Sequence, residues 1–428
     1  MKIVCISVFC VLAAINTHAQ SIDKIIDVAE VKRIESILSA DSMQGRKAFT
    51  ASANKASDFI ADEFKKIGLE TFKGLKSYKQ TFSLVNPVIA NAAVTIDGAV
   101  LNAQQVIPLT TAKSVQITEA SGFAKAYIKQ GEDFRKGVNE YRKRDQNIIV
   151  FVDSSFASVF ARLSSLRQYL TPSDKTVIFV LGNYIADHYN ISLTQDLNEM
   201  VGENVVGVIP GRDKKEEMVV FSGHYDHIGI QKGGGADTIY NGANDDASGI
   251  TAIIQMAKYY KAAKNNQRTL VFVAFTAEEI GGFGSQYFSR QLDANKVAAM
   301  FNIEMIGTES KWGKNSAYIT GFEKSDLGKI LQSNLKGSKF TFYPDPYTDQ
   351  NLFYRSDNAT LARLGVPAHT ISTSKMDNEQ NYHKLTDEVS TLDIPNMTEI
   401  IKSVILSAGS IVEGKDTPSR VKADELRR

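Results

Sequence analysis

Short apolar runs alternate with segments of helical periodicity in the second half of the chain. Residues 218–221, 269–275 and 297–306 are almost continuously apolar, as expected for strands that are buried on both faces. Residues 250–263 and 394–411 instead carry apolar side chains at the spacing of helices. Strands and helices that interleave in this way predict an α/β fold with a mixed, mostly parallel central sheet flanked by helices.

The region 89–202 has a different pattern. It contains short β-like runs separated by turn residues, and one helix-like segment near residues 158–170. No cluster of potential metal ligands occurs in it, so we expect an inserted smaller β-rich domain or lid. The main domain is then discontinuous and comprises residues 20–88 and 203–415. Residues 416–428 are expected to form a flexible, charged tail.

The N-terminus has the pattern of an export signal. Lys2 precedes an apolar run over residues 3–15, and Ala19 is a small residue suited to cleavage. We therefore expect residues 1–19 to be a signal peptide and the protein to be periplasmic or secreted. The apolar run is too short to span a bilayer.

Composition limits the kinds of partner. The chain has 49 Lys and Arg residues against 48 Asp and Glu residues, so its charge gives no reason to expect nucleic acid or an anionic membrane. Both cysteines, Cys5 and Cys10, lie in the expected signal peptide, which would leave the mature chain without disulfides or thiol chemistry. No other segment is apolar over the length needed to cross a membrane. The oligomeric state stays open.

Side chains that can bind metals follow each of the three buried strands. His224 and Asp226 follow the first strand, Glu278 and Glu279 follow the second, and Glu304 lies near the end of the third. Because parallel strands of an open α/β sheet end at one edge, we expect these side chains to converge there. A carboxylate such as that of Asp226 can hold the second nitrogen of a metal-bound imidazole.

Two further segments supply candidate ligands. Asp245 lies in the turn-like stretch 244–249 ahead of a helical pattern, and His383 lies near the C-terminus, whereas His227 and His369 are expected to be structural. The candidate ligands are therefore His224, Asp245, Glu279, Glu304 and His383. Oxygen and imidazole donors without sulfur suit zinc, and would also accept cobalt or manganese. Three carboxylates and a bridging hydroxide balance two divalent cations, which favours a pair of ions over one.

The order of these motifs resembles that of one metallopeptidase family, the dizinc aminopeptidases that include bacterial leucyl aminopeptidase and aminopeptidase Y. Distant relatives in that family are glutamate carboxypeptidase II, the transferrin receptor and glutaminyl cyclase. The similarity covers about residues 204–414 and extends to the segment 44–46. The motifs that carry it are His-Tyr-Asp at 224–226, Asn-Asp-Asp-Ala-Ser-Gly at 244–249, Glu-Glu at 278–279, Glu-Met-Ile-Gly at 304–307 and Tyr-His at 382–383.

The resemblance implies how the five ligands are shared. Asp245 would bridge two zinc ions, with His224 and Glu304 completing the shell of one ion and Glu279 and His383 that of the other. Many family members carry Asp where this chain has Glu304, so the resemblance implies weaker binding of the second ion here.

Two other residues receive functions from the resemblance. Glu278 would be the general base, and Asp226 would orient the neighbouring histidine. Tyr382, just before His383, is a candidate for contact with the substrate or the developing oxyanion, and the alternative is that it only packs. The resemblance also implies a cis peptide bond between Asp245 and Asp246.

The sequence therefore predicts an exported zinc-dependent exopeptidase that acts on peptides, with Glu278 as general base. An aminopeptidase, which releases N-terminal residues, is the first interpretation. A glutaminyl cyclase with one zinc ion, a carboxypeptidase and another amidohydrolase are the alternatives, because the ligand set does not decide which end of the substrate is held. A binding module on an inactive fold is disfavoured, since all five ligands are present.

Overall fold

The computed structural model describes residues 22–426, which form two compact units. The larger unit comprises the described residues up to Thr81 together with those from Gly202 onward, and the smaller unit comprises Phe82–Val201. The expected signal peptide, residues 1–19, lies outside the described residues. None of the helices within residues 22–426 combines the length and the apolar character needed to cross a membrane.

Helices and strands alternate over most of the larger unit. From Val28 onward the α-helices are α1 (Val28–Leu38), α2 (Ala51–Ile67), α3 (Phe134–Tyr141), α4 (Ala157–Phe160), α5 (Ser248–Ala263), α6 (Phe283–Arg290), α7 (Leu327–Asn334), α8 (Asn358–Ala362) and α9 (Ile394–Val412). The strands up to the end of the smaller unit are β1 (Glu70–Thr71), β2 (Lys79–Ile96), β3 (Ala99–Leu101), β4 (Val106–Leu109), β5 (Ser114–Thr118), β6 (Ala124–Ile128), β7 (Ile148–Val152), β8 (Val177–Leu181) and β9 (Tyr189–Ile209). The later strands are β10 (Lys214–His224), β11 (Gly229–Ile230), β12 (Ile239–Tyr240), β13 (Arg268–Phe275), β14 (Val297–Ile303), β15 (Ser316–Ile319), β16 (Thr341–Pro344) and β17 (Ala368–Ser372).

A sheet of mixed direction forms the centre of the larger unit, with the strand order β16-β15-β17-β14-β10-β13-β9. Strand β10 runs parallel to both β13 and β14, and β14 runs parallel to β17. Strand β9 is antiparallel to β13, and β15 is antiparallel to β17. Helix α5 packs on β10 and helix α8 on β17. The predicted fold class, a mixed and mostly parallel sheet flanked by helices, is confirmed.

Stacked aromatic rings hold the three central strands together. Phe221 of β10 stacks on Phe272 of β13 and on Phe301 of β14, with ring centroids 5.5 and 5.1 Å apart. It also stacks on Tyr260 of α5 at 5.6 Å. All four side chains are buried, so they contribute large apolar areas to the core. This packing aligns the parallel strands, and the carboxyl ends of β10, β13 and β14 therefore meet at one edge.

The smaller unit contains a four-stranded sheet with the order β4-β8-β7-β6. Strands β6, β7 and β8 are parallel, whereas β4 is antiparallel to β8. The sequence predicted the domain boundaries after residues 88 and 202, while contacts within the chain place them after Thr81 and Val201. Since β2 continues without a break through residue 88, no turn marks that boundary in the sequence.

The C-terminal segment differs from the expected flexible tail. Val421 and Leu426 are buried, with 4% and 7% of their surface exposed, and pack in an apolar cluster of the larger unit. The Arg420 guanidinium donates to the carbonyl of Val297 at 2.8 Å. The charged composition suggested fraying, but apolar side chains spaced between the charges anchor the segment up to residue 426.

Candidate metal centre

The candidate ligands lie where the central strands end. β10 ends at His224, β13 ends just before the turn that carries Glu278 and Glu279, and β14 ends immediately before Glu304. The parallel register pairs His224 with Phe275, the last residue of β13. The predicted convergence of these side chains at one sheet edge is therefore seen in the structure.

One group of three potential ligands consists of His224, Asp245 and Glu304. Each offers one ligand atom, and the three atoms lie within 4.8 Å of one another. Nε2 of His224 lies 3.2 Å from Oδ1 of Asp245. The histidine and aspartate are almost fully buried, with 1% and 2% of their surface exposed. These separations suit ligands of a common cation.

A second group shares Asp245 and lies beside the first. Ligand atoms of His227, Asp245 and Glu279 lie within 4.8 Å of one another. His383 completes this side, since its Nε2 lies 3.2 Å from Oδ2 of Asp245 and 3.1 Å from Oε2 of Glu279. The structure thus brings together all five predicted ligands, with the Asp245 carboxylate between two sets.

His227 is a residue of the centre that sequence reasoning had set aside. It is buried, and its Nδ1 lies 2.6 Å from Oε1 of Glu279 and 3.9 Å from Oδ2 of Asp245. Its ring lies 5.7 Å from that of His383. The available signal was its position three residues after His224, just past the end of a buried strand.

His369, by contrast, has its polar atoms satisfied away from the ligands. Its Nδ1 lies 2.8 Å from the carbonyl of Thr320, and its Nε2 lies 2.7 Å from the hydroxyl of Ser325. Donation from Nδ1 to the carbonyl leaves Nε2 to accept from the hydroxyl. Burial lowers the pKa of His369 to about 4, which keeps the ring neutral. These contacts favour a structural function.

Asp226 contacts His224 in a different way from the one expected. Nδ1 of His224 lies 3.0 Å from the backbone carbonyl of Asp226 and 3.8 Å from its Oδ1. The carboxylate instead accepts a hydrogen bond from the backbone N–H of Glu278 at 3.1 Å. The backbone therefore holds the imidazole, and the side chain ties the end of β10 to the Glu278 turn.

Asp246 fixes three backbone segments of the centre. Its Oδ2 accepts from the N–H of His224 at 3.2 Å, and its Oδ1 accepts from those of Gly249 and Met305 at 3.0 and 3.1 Å. A Cβ at Gly249 would lie 2.3 Å from Oδ2 of Asp246, so glycine is required for this approach. The peptide bond between Asp245 and Asp246 is cis, as the resemblance implied.

Asp387 supports the shared ligand from the C-terminal part of the chain. Its two carboxylate oxygens accept hydrogen bonds from the backbone N–H groups of Asn244 and Asp245, at 2.8 and 3.0 Å. No function was predicted for Asp387 from the sequence. Its acidic character four residues after His383 was the only local signal.

Arg46 is a buried cation that holds the loops on either side of the ligands. Its guanidinium donates at 2.6–2.8 Å to four backbone carbonyls, those of Leu38, Tyr225, Asn241 and Gly242. Tyr225 lies between His224, the last residue of β10, and Asp226, and Gly242 precedes the Asp245 turn. One side chain from the N-terminal part of the chain thus links both ligand loops.

The backbone around Arg46 is shaped for this contact. Gln44, Gly45 and Arg46 have φ angles of 48, 64 and 47°, all in the left-handed region. A Cβ at Gly45 would lie 2.5 Å from the carbonyl oxygens of Gly229 and Tyr240. The turn therefore needs glycine at its centre in order to approach β11 and β12.

Burial and mutual repulsion dominate the electrostatics of the centre. Burial among other carboxylates raises the pKa of Glu278 well above its ordinary value, and raises the pKa values of Asp226 and Glu304 to about 7. Burial opposes ionisation of Asp245 as well, but the imidazoles of His224 and His383 lower its pKa. So much buried negative charge is stable only when cations compensate it.

Buried atoms without hydrogen-bond partners indicate the kind of ligand that these side chains could hold. Among the described residues, Nε2 of His224, Nε2 of His227 and Oδ2 of Asp245 have no partner with hydrogen-bond geometry. Orphaned buried atoms of this kind call for an explanation such as a bound ion. Carboxylate and imidazole donors in two adjoining sets are a donor set that zinc accepts.

A small pocket opens beside Glu304. Tyr382 lines it, and its ring stacks on the ring of His383 with centroids 4.0 Å apart. Nη2 of Arg355 donates to the Tyr382 hydroxyl at 3.4 Å. The pocket therefore adjoins the first set of candidate ligands through Glu304, and the second set through Tyr382, which precedes His383 in the chain.

The family follows from this region of the chain. Residues 204–408 match the model of peptidase family M28. These residues are a peptidase family M28 domain. The M28 domain contains all five candidate ligands, and the family that the motifs predicted is confirmed.

Known sequences similar to this chain are peptidases or proteases by name. Aminopeptidase YwaD of Bacillus subtilis (strain 168) is 30% identical over 118 residues, which are 27% of this chain and 23% of that protein. A vacuolar membrane protease of Schizosaccharomyces pombe is 24% identical over 275 residues, covering 62% of this chain and 29% of that protein. The chain thus spans less than a third of the length of these relatives.

Solved structures show the same fold over most of the chain. An aminopeptidase from Aneurinibacillus sp. strain AM-1 aligns with a TM-score of 0.54 at 17% identity, covering 95% of this chain and 98% of that one. BSAP, a zinc aminopeptidase from Bacillus subtilis, aligns with a TM-score of 0.54 at 15% identity, covering 94% and 97%. At these identities the likeness establishes the fold alone.

Proposed function

We propose that the chain is a zinc-dependent aminopeptidase that binds two zinc ions and releases N-terminal residues from peptides. The observation that carries the proposal is the pair of ligand sets that share Asp245. His224 and Glu304 would complete one set, and Glu279 and His383 the other. His227, which contacts Glu279 at 2.6 Å, would orient that carboxylate.

When bound, the zinc pair supplies a Lewis acid for the scissile carbonyl and a water of lowered pKa. Glu278 takes a proton from the attacking water and delivers it to the leaving amine. Its raised pKa suits a carboxyl group that must carry a proton between these two events. The hydrogen bond from its backbone N–H to Asp226 fixes the turn on which it lies. The hydroxyl of Tyr382 would donate a hydrogen bond to the developing oxyanion.

The names of similar proteins support an aminopeptidase over the other reactions of this fold. YwaD of Bacillus subtilis is called an aminopeptidase, and the two aligned structures carry the same description. Because the chain covers only part of the length of its sequence relatives, the activity has to be measured on this protein itself.

Hydrolysis before and after chelation tests the proposal. The purified protein is assayed with a panel of aminoacyl-p-nitroanilides and blocked acetyl-aminoacyl controls, and its metal content is measured. We expect about two zinc ions per chain, cleavage of free N-terminal substrates only, loss of activity with 1,10-phenanthroline and recovery with added zinc. Full activity in the chelator would exclude a metallopeptidase. Conversion of glutaminyl peptides to pyroglutamyl peptides without free amino acid would indicate a cyclase instead.

We also propose that the protein is exported after removal of residues 1–19. The apolar run that follows Lys2 supports this proposal. N-terminal sequencing of protein from the periplasm and the medium should begin after Ala19. Recovery of the uncleaved chain from the cytoplasm alone would contradict export.

A further inference from the structure

The pocket beside Glu304 has one cationic side chain in its lining. Arg355 lines the pocket together with apolar side chains, among them Met305, Leu352 and Met376. If the proposed function holds, the scissile carbonyl lies at the zinc pair. The side chain of the substrate's N-terminal residue then extends into this pocket, because the pocket adjoins Glu304.

The uncharged polar side chains of the lining carry hydroxyl groups. Thr320, Thr370 and Ser372 line the pocket and are almost fully buried, with exposed fractions of 1%, 4% and 5%. Hydroxyl groups can donate or accept hydrogen bonds, so they accommodate a polar substrate group without selecting its charge. Selection by charge must therefore come from the ionic residues of the lining.

Arg355 has no carboxylate partner among residues 22–426. No Asp or Glu oxygen lies within the 4.0 Å limit of an ion pair with it, and its one side-chain hydrogen bond goes to the Tyr382 hydroxyl at 3.4 Å. The acidic residue in the lining is Glu304, whose charge would be neutralised by the zinc ion that it would share with His224 and Asp245. The pocket would therefore present an uncompensated positive charge to the substrate.

We propose that Arg355 makes this pocket select peptides whose N-terminal residue is acidic. The proposal rests on the proposed aminopeptidase function and names the substrate class of the same site. A guanidinium offers a planar fork of donors that matches a carboxylate. The same charge repels the ammonium or guanidinium of an N-terminal Lys or Arg, so the pocket should discriminate against basic residues.

The size of the expected preference for acidic residues follows from the exposure of Arg355. Its side chain is exposed, so solvent screens its charge and only a modest preference is expected. We expect kcat/KM for a glutamyl substrate to exceed that for the isosteric glutaminyl substrate by about three- to tenfold. The comparison of Glu with Gln removes differences in size and leaves the charge as the variable.

The test measures kcat/KM for glutamyl-, glutaminyl-, leucyl- and lysyl-p-nitroanilide with the zinc-loaded protein. Arg355→Gln should bring the Glu to Gln ratio to about one or below, while Arg355→Lys should retain part of it, because the charge remains. Arg363→Gln is the matched control, since it removes an exposed cation outside the pocket lining and should leave the ratio unchanged.

A binding measurement gives a second readout. Isothermal titration with L-glutamate and L-glutamine should show tighter binding of glutamate by the wild-type protein, and Arg355→Gln should remove the difference. A ratio that is unchanged in Arg355→Gln, or an equal loss for all four substrates, would overturn the proposal. An equal loss for all four substrates would mean that Arg355 acts by holding Tyr382 in place.

These outcomes are distinct from failure of the proposed function. Zinc-dependent cleavage of leucyl and glutaminyl substrates without a preference for Glu would overturn the selectivity alone. Absence of zinc-dependent cleavage for every substrate would overturn the aminopeptidase, and the titration would still decide whether Arg355 selects an acidic ligand.

Discussion

Two buried charged regions of the larger unit contrast in how their polar atoms are satisfied. In the candidate metal centre, several carboxylates and imidazoles lie close together, and atoms such as Oδ2 of Asp245 have no hydrogen-bond partner among the described residues. At Arg46, a single buried cation donates to four backbone carbonyls. The candidate metal centre is therefore incomplete, because some of its buried polar atoms lack a partner in the described protein. The Arg46 region is complete, because each nitrogen of the guanidinium has one.

The difference separates a binding function from a structural one. A buried polar group without a partner costs free energy, so a folded chain retains such groups where something else completes them. A guanidinium whose three nitrogens all donate to protein carbonyls needs no further ligand and acts by holding the segments that it bonds. Arg46 bonds the carbonyls of Tyr225 and Gly242, so the complete region joins two loops that flank candidate ligands of the incomplete one.

The largest effect is expected from Glu278→Gln, which removes the proposed base without changing size. We expect kcat to fall by about a hundred- to ten-thousandfold, the range that general acid–base catalysis contributes. Zinc content should stay unchanged, because Glu278 is not among the proposed ligands. Steady-state kinetics with metal analysis on the same samples measures both. A variant within tenfold of wild type would place the base elsewhere.

Arg46→Lys tests whether the Arg46 region positions the candidate ligands of the metal centre. A single ammonium cannot reach four carbonyls, so some remain buried without a donor, and we expect a loss of about 2–4 kcal/mol in unfolding free energy. Zinc affinity should fall by about tenfold, the lower range for residues that orient metal ligands. Urea unfolding and competition with a zinc chelator give the two numbers.

The control for this prediction is Arg33→Lys. Arg33 forms part-exposed ion pairs with Glu30 and Glu63, so lysine should substitute with little effect on either measurement. Unchanged zinc affinity in an Arg46→Lys protein that has lost stability would show that Arg46 supports the fold but does not position the ligands.

The smallest effect is a pH dependence confined to the metal-free protein. Folding raises the pKa values of Asp226 and Glu304 to about 7, above their ordinary values of 3.8 and 4.5. The folded state therefore binds more protons than the unfolded state between these values. Stability should fall as pH rises from about 4.5 to 7, and we expect the melting temperature to drop by several degrees.

Added zinc should remove much of this dependence, because bound cations favour the ionised carboxylates. Thermal unfolding of chelator-treated protein at pH 5 and pH 8, with and without zinc, makes the comparison. A melting temperature that rises with pH in the metal-free protein would contradict the sign. It would also mean that the centre's carboxylates are already compensated within the chain.

The sequence by itself determined the central sheet and which candidate ligands follow its strands. Continuous apolar runs predicted the central strands because strands covered on both faces have no polar side. The acidic and imidazole residues that follow those runs were predicted to converge because parallel strands end at the same edge. His224, Glu279 and Glu304 needed no further information, since each lies within a few residues of a strand end.

Only the tertiary structure decided how the centre is supported. Arg46 bonds carbonyls 179 and 196 residues away, and Asp387 bonds backbone N–H groups 143 and 142 residues away. It also showed that the backbone of Asp226, not its carboxylate, holds His224, and that Arg355 lines the pocket. Such contacts join irregular loops that are brought together by the packing of the whole unit. They follow neither the helical nor the strand period, so no local pattern predicts them.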